Sequence, residues 1–202
     1  MNQMKNTMKS NYTEIWATPI AEYWLEDYSL HEELLNIVND VEWNGDDTMN
    51  LFSKPCRFSE WVLHCVEDYV ARFNFPMKYC EIQRGWCTTQ HPLHDNFIHT
   101  HYTADIAAVY YLDTVPEHPP LEILDPRPGH NFNMCHRKMA DGNIASGFSS
   151  IQIKPETYKL VMHPGYLRHG VTHNLTNIPR SAVAMNILTK RDHSVKMVTS
   201  SY

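Results

Sequence analysis

The chain has 202 residues, 43% of them hydrophobic and 20% charged, and a net charge of −6 at pH 7. That length suits one domain with a sizeable core, and the composition excludes a disordered chain. The negative balance and dispersed basic residues give no electrostatic case for nucleic acid or an anionic membrane, and no apolar run approaches the roughly 20 residues of a membrane-spanning helix.

Residues 1–12 are polar and are expected to be frayed. They lack the apolar core of a secretion signal, so the Asn11-Tyr12-Thr13 and Asn174-Leu175-Thr176 triplets carry no weight as glycosylation sites. Ile15 to Leu25 reads as an extended segment broken at Thr18-Pro19. Leu30, Leu34, Ile37, Val38 and Val41 recur at helical spacing, with Ser29 as the expected N-cap and Glu32 completing a capping box. Asn44-Gly45-Asp46-Asp47 is a turn. Phe58 to Phe73 forms a second amphipathic helix, stopped at Asn74-Phe75-Pro76.

From Tyr79 the period changes from helical to extended. Short strands are expected over Tyr79–Thr89, Ile98–His101, Ile106–Leu112, Leu121–Leu124, Ile151–Lys154, Lys159–His163, Leu167–His173 and Ser181–Leu188. Helices followed by many strands predict an α+β, mainly β domain built on an antiparallel sandwich or barrel. Residues 113–150, with five prolines and three glycines, read as a long functional loop or lid. The expected organisation is a single domain over 1–202: helical support over 13–76 and a β core over 77–190.

Five scattered cysteines (56, 65, 80, 87 and 135) with no Cys-x-x-Cys pair point to reduced thiols in a cytoplasmic protein and against a zinc–cysteine site. The 13 histidines matter more, because they cluster. His99 and His101 stand at i and i+2 on an extended segment, where side chains alternate, so both face one side and can share a metal ion. A third ligand from a distant strand would complete a facial set. His169 and His173 both qualify by face, but they lie on the order of 13 Å apart on an extended strand, so only one can join the pair. His169 has the apolar neighbours Leu167 and Val171 expected inside a barrel. Downstream, Arg180, Ala182, Ala184 and Asn186 share a face, two small residues between two polar ones. A buried arginine needs an anionic partner, and a bound carboxylate would supply one. Three imidazoles with open positions suit Fe(II), but zinc, copper or nickel could also bind. His91 and His94 flank the cluster as loop residues. Triad, P-loop and dinucleotide motifs are absent.

These residues resemble the Fe(II)/2-oxoglutarate-dependent oxygenases, closest to a small branch known from bacteria and tailed phages. The stretches that carry the likeness are IWATPIAEYWLED, FIHTHYTADIAAVYYLD, LEILDPRPG and IKPETYKLVMHPGYLRHGVTHNLTNIPRSAVAMNI. The resemblance implies a double-stranded β-helix, or cupin-like jelly roll, with N-terminal helices packed on one side. It implies Fe(II), 2-oxoglutarate and O2 as cofactor and cosubstrates, and hydroxylation of a peptide or small-molecule substrate in the cytoplasm, that of the host if the chain is phage-encoded. His99 then matches the first iron ligand, His169 the distal histidine, and Arg180 the anchor for the far carboxylate of 2-oxoglutarate. Of Tyr110-Tyr111, Tyr111 is favoured as a second contact to that carboxylate, with Asn186 as a further cofactor contact.

Two positions depart from the family pattern. His101 occupies the place of the usual carboxylate ligand, so either His101 ligates or Asp95 or Asp105 swings in; strand geometry favours His101. His163 replaces a common aromatic residue. Two rival readings remain at this stage: a three-histidine cupin dioxygenase that needs no 2-oxoglutarate, and a non-catalytic β-sandwich binding module. Oligomeric state and substrate identity are not legible.

Overall fold

The computed structural model describes residues 18–40, 50–72, 76–126, 150–192 and 194. A short strand, β1 (Ala21–Trp24), precedes two helices, α1 (Tyr28–Asp40) and α2 (Arg57–Ala71). Eight strands follow: β2 (Met77–Gln90), β3 (Asn96–His99), β4 (Ile106–Asp113), β5 (Leu121–Leu124), β6 (Ser150–Ile153), β7 (Lys159–Pro164), β8 (His169–Val171) and β9 (Arg180–Arg191). They form a five-stranded sheet in the order β1-β7-β4-β9-β2 and a four-stranded sheet in the order β3-β8-β5-β6, every pairing antiparallel.

Element types follow the sequence expectations, but several boundaries move. Helix α1 starts before the expected Ser29 cap. Asp27 does the capping, its Oδ1 accepting from the Ser29 backbone N–H (3.0 Å) and hydroxyl (2.6 Å). An anionic acceptor at a helix N-terminus outcompetes a neutral hydroxyl, which becomes a donor to it. Helix α2 starts at Arg57 through a reciprocal cap: Ser59 N–H donates to Cys56 Sγ (3.4 Å) and Cys56 N–H to Ser59 Oγ (2.9 Å). The expected strand over Leu167–His173 shrinks to three residues, and the expected strand ending at His101 stops at His99.

Strand β4 shows how one sequence serves two cores. Ile106, Ala108, Tyr110 and Leu112 face the helices and pack with Leu34, Phe58, Val62 and Val66. Ala107, Val109 and Tyr111 point the other way, into the space between the sheets, where Tyr111 packs with Leu121, Ile123, Val161, Leu167 and Ala182. Both faces of the larger sheet are therefore covered, which is why β4 reads as a nearly continuous apolar run. The adjacent tyrosines end on opposite faces: Tyr110 Oη meets His31 Nδ1 at 3.0 Å on the helix side, and Tyr111 lines the inter-sheet core. No helix of the described residues is long and apolar enough to cross a membrane.

Candidate metal and cosubstrate site

Between the sheets lies a cavity of about 260 Å³. The minor sheet contributes His99 and His169, which stand directly opposite each other on β3 and β8. His101 reaches the same place from the turn after β3. Its backbone N–H donates to Gly165 O (2.9 Å), and Gly165 N–H donates to Asp105 O (2.9 Å). A Cβ at Gly165 would overlap the Ala104 carbonyl oxygen and lie 2.9 Å from that of His101. Gly170 is constrained in the same way, since a Cβ there would lie 2.7 Å from Asn96 O. These glycines let β8 and the His101 turn close on one another.

The metal-ligating atoms of His99, His101 and His169 all lie within 4.8 Å of one another. Two of the rings are oriented by backbone: Nδ1 of His99 meets Phe97 O at 2.7 Å and Nδ1 of His169 meets Leu167 O at 2.8 Å. A carbonyl can only accept, so in both rings Nδ1 carries the proton and Nε2 keeps its lone pair. Burial pushes the His101 and His169 imidazoles down to about 4, with neighbouring histidines lowering them further, so both are neutral at pH 7. A fourth ring, His163, packs against His169 with centroids 4.4 Å apart, and burial first, then His169, lowers it to about 3. Its Nδ1 donates to Pro164 O at 3.0 Å. Three converging imidazoles, two held by backbone acceptors, are a donor set that fits a divalent transition metal.

Of the carboxylates considered as alternatives to His101, Asp105 is engaged elsewhere, and Asp95 lines the cavity but is not grouped with the converging ligand atoms. Asp105 Oδ2 accepts from the backbone N–H (2.7 Å) and hydroxyl (3.1 Å) of Thr189, and Asp95 faces His173 at 3.7 Å. His173 is thereby placed outside the cluster. His91 and His94 pack on each other, centroids 5.7 Å apart, with His94 at the cavity rim.

Arg180 lies at the other end of the cavity and is 6% exposed. Among the described residues its one hydrogen bond runs from Nη1 to Gln90 Oε1 at 3.3 Å, its Nε is buried without a partner, and its Cζ sits 5.0 Å from the centroid of Tyr111. Tyr111 Oη is also buried without a hydrogen bond; burial raises its pKa and the adjacent guanidinium opposes that rise. Lys159, the other buried Lys or Arg among the described residues, differs: its Nζ donates to Glu22 and Glu156, both at 2.9 Å. Arg180 has no such carboxylate among the described residues. A guanidinium and a phenol, both short of partners on one cavity wall, fit a carboxylate ligand. Ala182 and Ala184 line the wall between the two ends, as their alternation predicts.

Asn186 sits not beside Arg180 but six residues farther along β9, in the row of Ala107 and His163. It interacts with His101, though its Oδ1 is buried without a hydrogen bond. Sequence reasoning missed Gln90, Arg84 and Trp86. The available signal was alternation on β2 opposite Arg180, Ala184 and Asn186. Most of the expected lid, 127–149, lies outside the described residues; the described part contains β5 and the start of β6, both close to expectation.

Residues 84–186 match the model of a family described as "Putative 2OG-Fe(II) oxygenase". No curated protein matches the chain. Among solved structures, a Pseudomonas putida prolyl-4-hydroxylase superposes with a TM-score of 0.52 at 12% identity, over 87% of this chain and 89% of that one. HygX from Streptomyces hygroscopicus, solved with nickel and 2-oxoglutarate bound, gives 0.55 at 14%, over 84% and 82%. The 2-oxoglutarate-dependent carbocyclase SnoK from nogalamycin biosynthesis gives 0.53 at 14%, over 84% and 79%. At such identities the likeness is one of fold, the double-stranded β-helix with helices against its larger sheet.

Proposed function

The chain belongs to the Fe(II)/2-oxoglutarate-dependent oxygenases, and from that premise we propose that it is a hydroxylase whose iron is held by His99, His101 and His169. Family membership sets aside both the cupin that needs no 2-oxoglutarate and the non-catalytic binding module. The observation that carries the ligand set is the convergence of three imidazoles within 4.8 Å at one end of an inter-sheet cavity. Bound there, Fe(II) with 2-oxoglutarate and O2 supplies oxidative decarboxylation to succinate and CO2, coupled to oxygen insertion into a substrate C–H bond.

The chain's own residues set the conditions. The Phe97 and Leu167 carbonyls hold the His99 and His169 tautomers. His163 packs against His169 and limits its ring rotation. Arg180 takes the far carboxylate of 2-oxoglutarate, with the Tyr111 hydroxyl as a second donor. Asn186 serves the iron end, beside His101. Val109, Val171, Ala182 and Leu121 line the cavity with apolar surface and limit water. Three neutral ligands leave the full charge of Fe(II) uncompensated, which favours a dianionic cosubstrate. The substrate is a peptide or small molecule; β3 is the edge of its sheet, with Phe97 and Ile98 exposed beside His99. Residues 13–76 support the 77–190 core as one catalytic unit.

Anaerobic titration with Fe(II), with and without 2-oxoglutarate, tests the reading. The parent should develop the weak charge-transfer absorption of a bidentate 2-oxoglutarate complex, and His99→Ala and His169→Ala should lose iron binding while remaining folded. Parent-like iron binding in both variants rules the site out.

A further inference from the structure

The wall that carries Arg180 holds a second arginine with no function assigned above. Gly85 faces the helices, where an added Cβ would collide with the ring of Phe52, so its neighbours Arg84 and Trp86 face the opposite side of β2. Arg84 is in register with Asn186, which pairs in turn with Ala107, and Ala107 with His163. That row crosses the sheet at the histidine end. The Arg84 Cζ lies 5.2 Å from the Trp86 ring centroid, and the Trp86 and His101 rings are 5.9 Å apart. Arg84 is therefore two ring contacts from the metal ligands. No described residue accepts a hydrogen bond from it, and its Nε is buried without a partner.

The two arginines occupy different rows of the sheet: Arg180 pairs with Gln90 and lines the cavity, whereas Arg84 pairs with Asn186, the side chain that interacts with His101. With 2-oxoglutarate on Arg180, the Arg84 guanidinium, stacked behind the cavity-lining Trp86, is left for another ligand. The Trp86 face supports it at 5.2 Å, which suits forked recognition of an oxyanion. A neutral substrate would leave its buried Nε unsatisfied, and a cationic one would be repelled.

We propose that Arg84, stacked on Trp86, is a specificity-determining residue that selects substrates bearing an anionic carboxylate or phosphoryl group near the C–H bond to be oxidised. The proposal rests on the reading of the histidine cluster as the iron site and Arg180 as the cosubstrate anchor.

The test uses full-length protein loaded with Zn(II), a diamagnetic stand-in, and saturating 2-oxoglutarate. It is titrated with N-acetyl-glutamate α-amide, with the uncharged N-acetyl-glutamine α-amide, and with inorganic phosphate. The Trp86 indole N–H resonance, assigned by its loss in Trp86→Phe, reports binding, and calorimetry gives 2-oxoglutarate affinity on the same samples. The expected result is a saturable Trp86 shift with an anionic probe, the stronger one identifying carboxylate or phosphoryl as the group read. Binding of the glutamine probe should be weaker by on the order of tenfold or more. Arg84→Gln should lose the response and Arg84→Lys keep part of it, both with unchanged melting and 2-oxoglutarate affinity. No saturable shift with either anion, or an equal shift in Arg84→Gln, overturns this proposal alone. Loss of 2-oxoglutarate binding in Arg84→Gln but not in Arg180→Gln overturns it together with the assignment of Arg180.

Discussion

Replacing Arg180 by Met should make the ligand-free protein no less stable while weakening 2-oxoglutarate binding. Arg180 is 6% exposed and has, among the described residues, one hydrogen bond, to Gln90 at 3.3 Å, and the Tyr111 ring at 5.0 Å. Holding an ion without a counter-ion in such a place costs several kcal/mol, and the ring contact returns about 2 kcal/mol. Removing the charge and keeping apolar volume should therefore be neutral or stabilising by about 1–2 kcal/mol. At roughly 2–4 °C per kcal/mol for a chain of this size, the rise in Tm is at most about 8 °C. Ligand binding should move oppositely. A ligand at 100 times its Kd adds about 2.7 kcal/mol to the parent. Losing a charge-assisted pair of about 1.5–3 kcal/mol lowers affinity ten- to more than hundred-fold, so the same concentration adds only about 0.3–1.4 kcal/mol to the variant. Thermal unfolding of the Mn(II)-loaded proteins under argon, with and without 2-oxoglutarate, measures both quantities. A variant that melts lower without ligand and keeps the parent's full gain with 2-oxoglutarate refutes the reasoning and makes Arg180 a structural residue.

Three other perturbations follow from the same geometry. His101→Asp should retain divalent-metal binding by calorimetry, because it restores the carboxylate usual in the family, but should bind 2-oxoglutarate more weakly as the centre loses a unit of positive charge; complete loss of metal in a folded variant would show that the imidazole itself is required. His163 is held at about 3 when folded against about 6.5 when unfolded. Between those values the unfolded chain binds the extra proton, so stability falls as pH drops through that window. His163→Phe should flatten the slope between pH 6 and 4 by about 1.4 kcal/mol per pH unit, read by denaturant unfolding of metal-free protein, and an unchanged slope contradicts a buried neutral imidazole. Gly165→Ala inserts a methyl group into the Ala104 carbonyl and displaces the turn that holds His101. Metal affinity should drop at least tenfold with far-UV circular dichroism preserved, and parent-like affinity would separate the turn from the site.

Much of the site was legible because strand alternation is a local rule. Once His99-x-His101 and the Arg180, Ala182, Ala184, Asn186 series are read as extended, their shared faces follow from the pleat whatever surrounds them. The same rule puts Tyr111 opposite Tyr110. Three positions needed more than the alternation rule. The Ser29 cap lost to Asp27 because the stronger acceptor stood two residues away. His101 left the strand yet kept its place, because Gly165, distant in sequence, receives its N–H. Asn186 shares a face with Arg180, but same face did not mean same end of the cavity.

By itself, the sequence determined the order and type of the elements, the fold class, and the candidate metal and cosubstrate residues, since periodicity and residue chemistry are carried locally along the chain. Only the tertiary structure decided between His169 and His173, engaged Asp105 elsewhere, left Arg180 without the carboxylates that Lys159 has among the described residues, and placed Arg84 and Trp86 next to the histidine cluster. Those outcomes depend on cross-strand register and on which buried groups find partners. Both are set by how distant segments pack, and no local pattern encodes them.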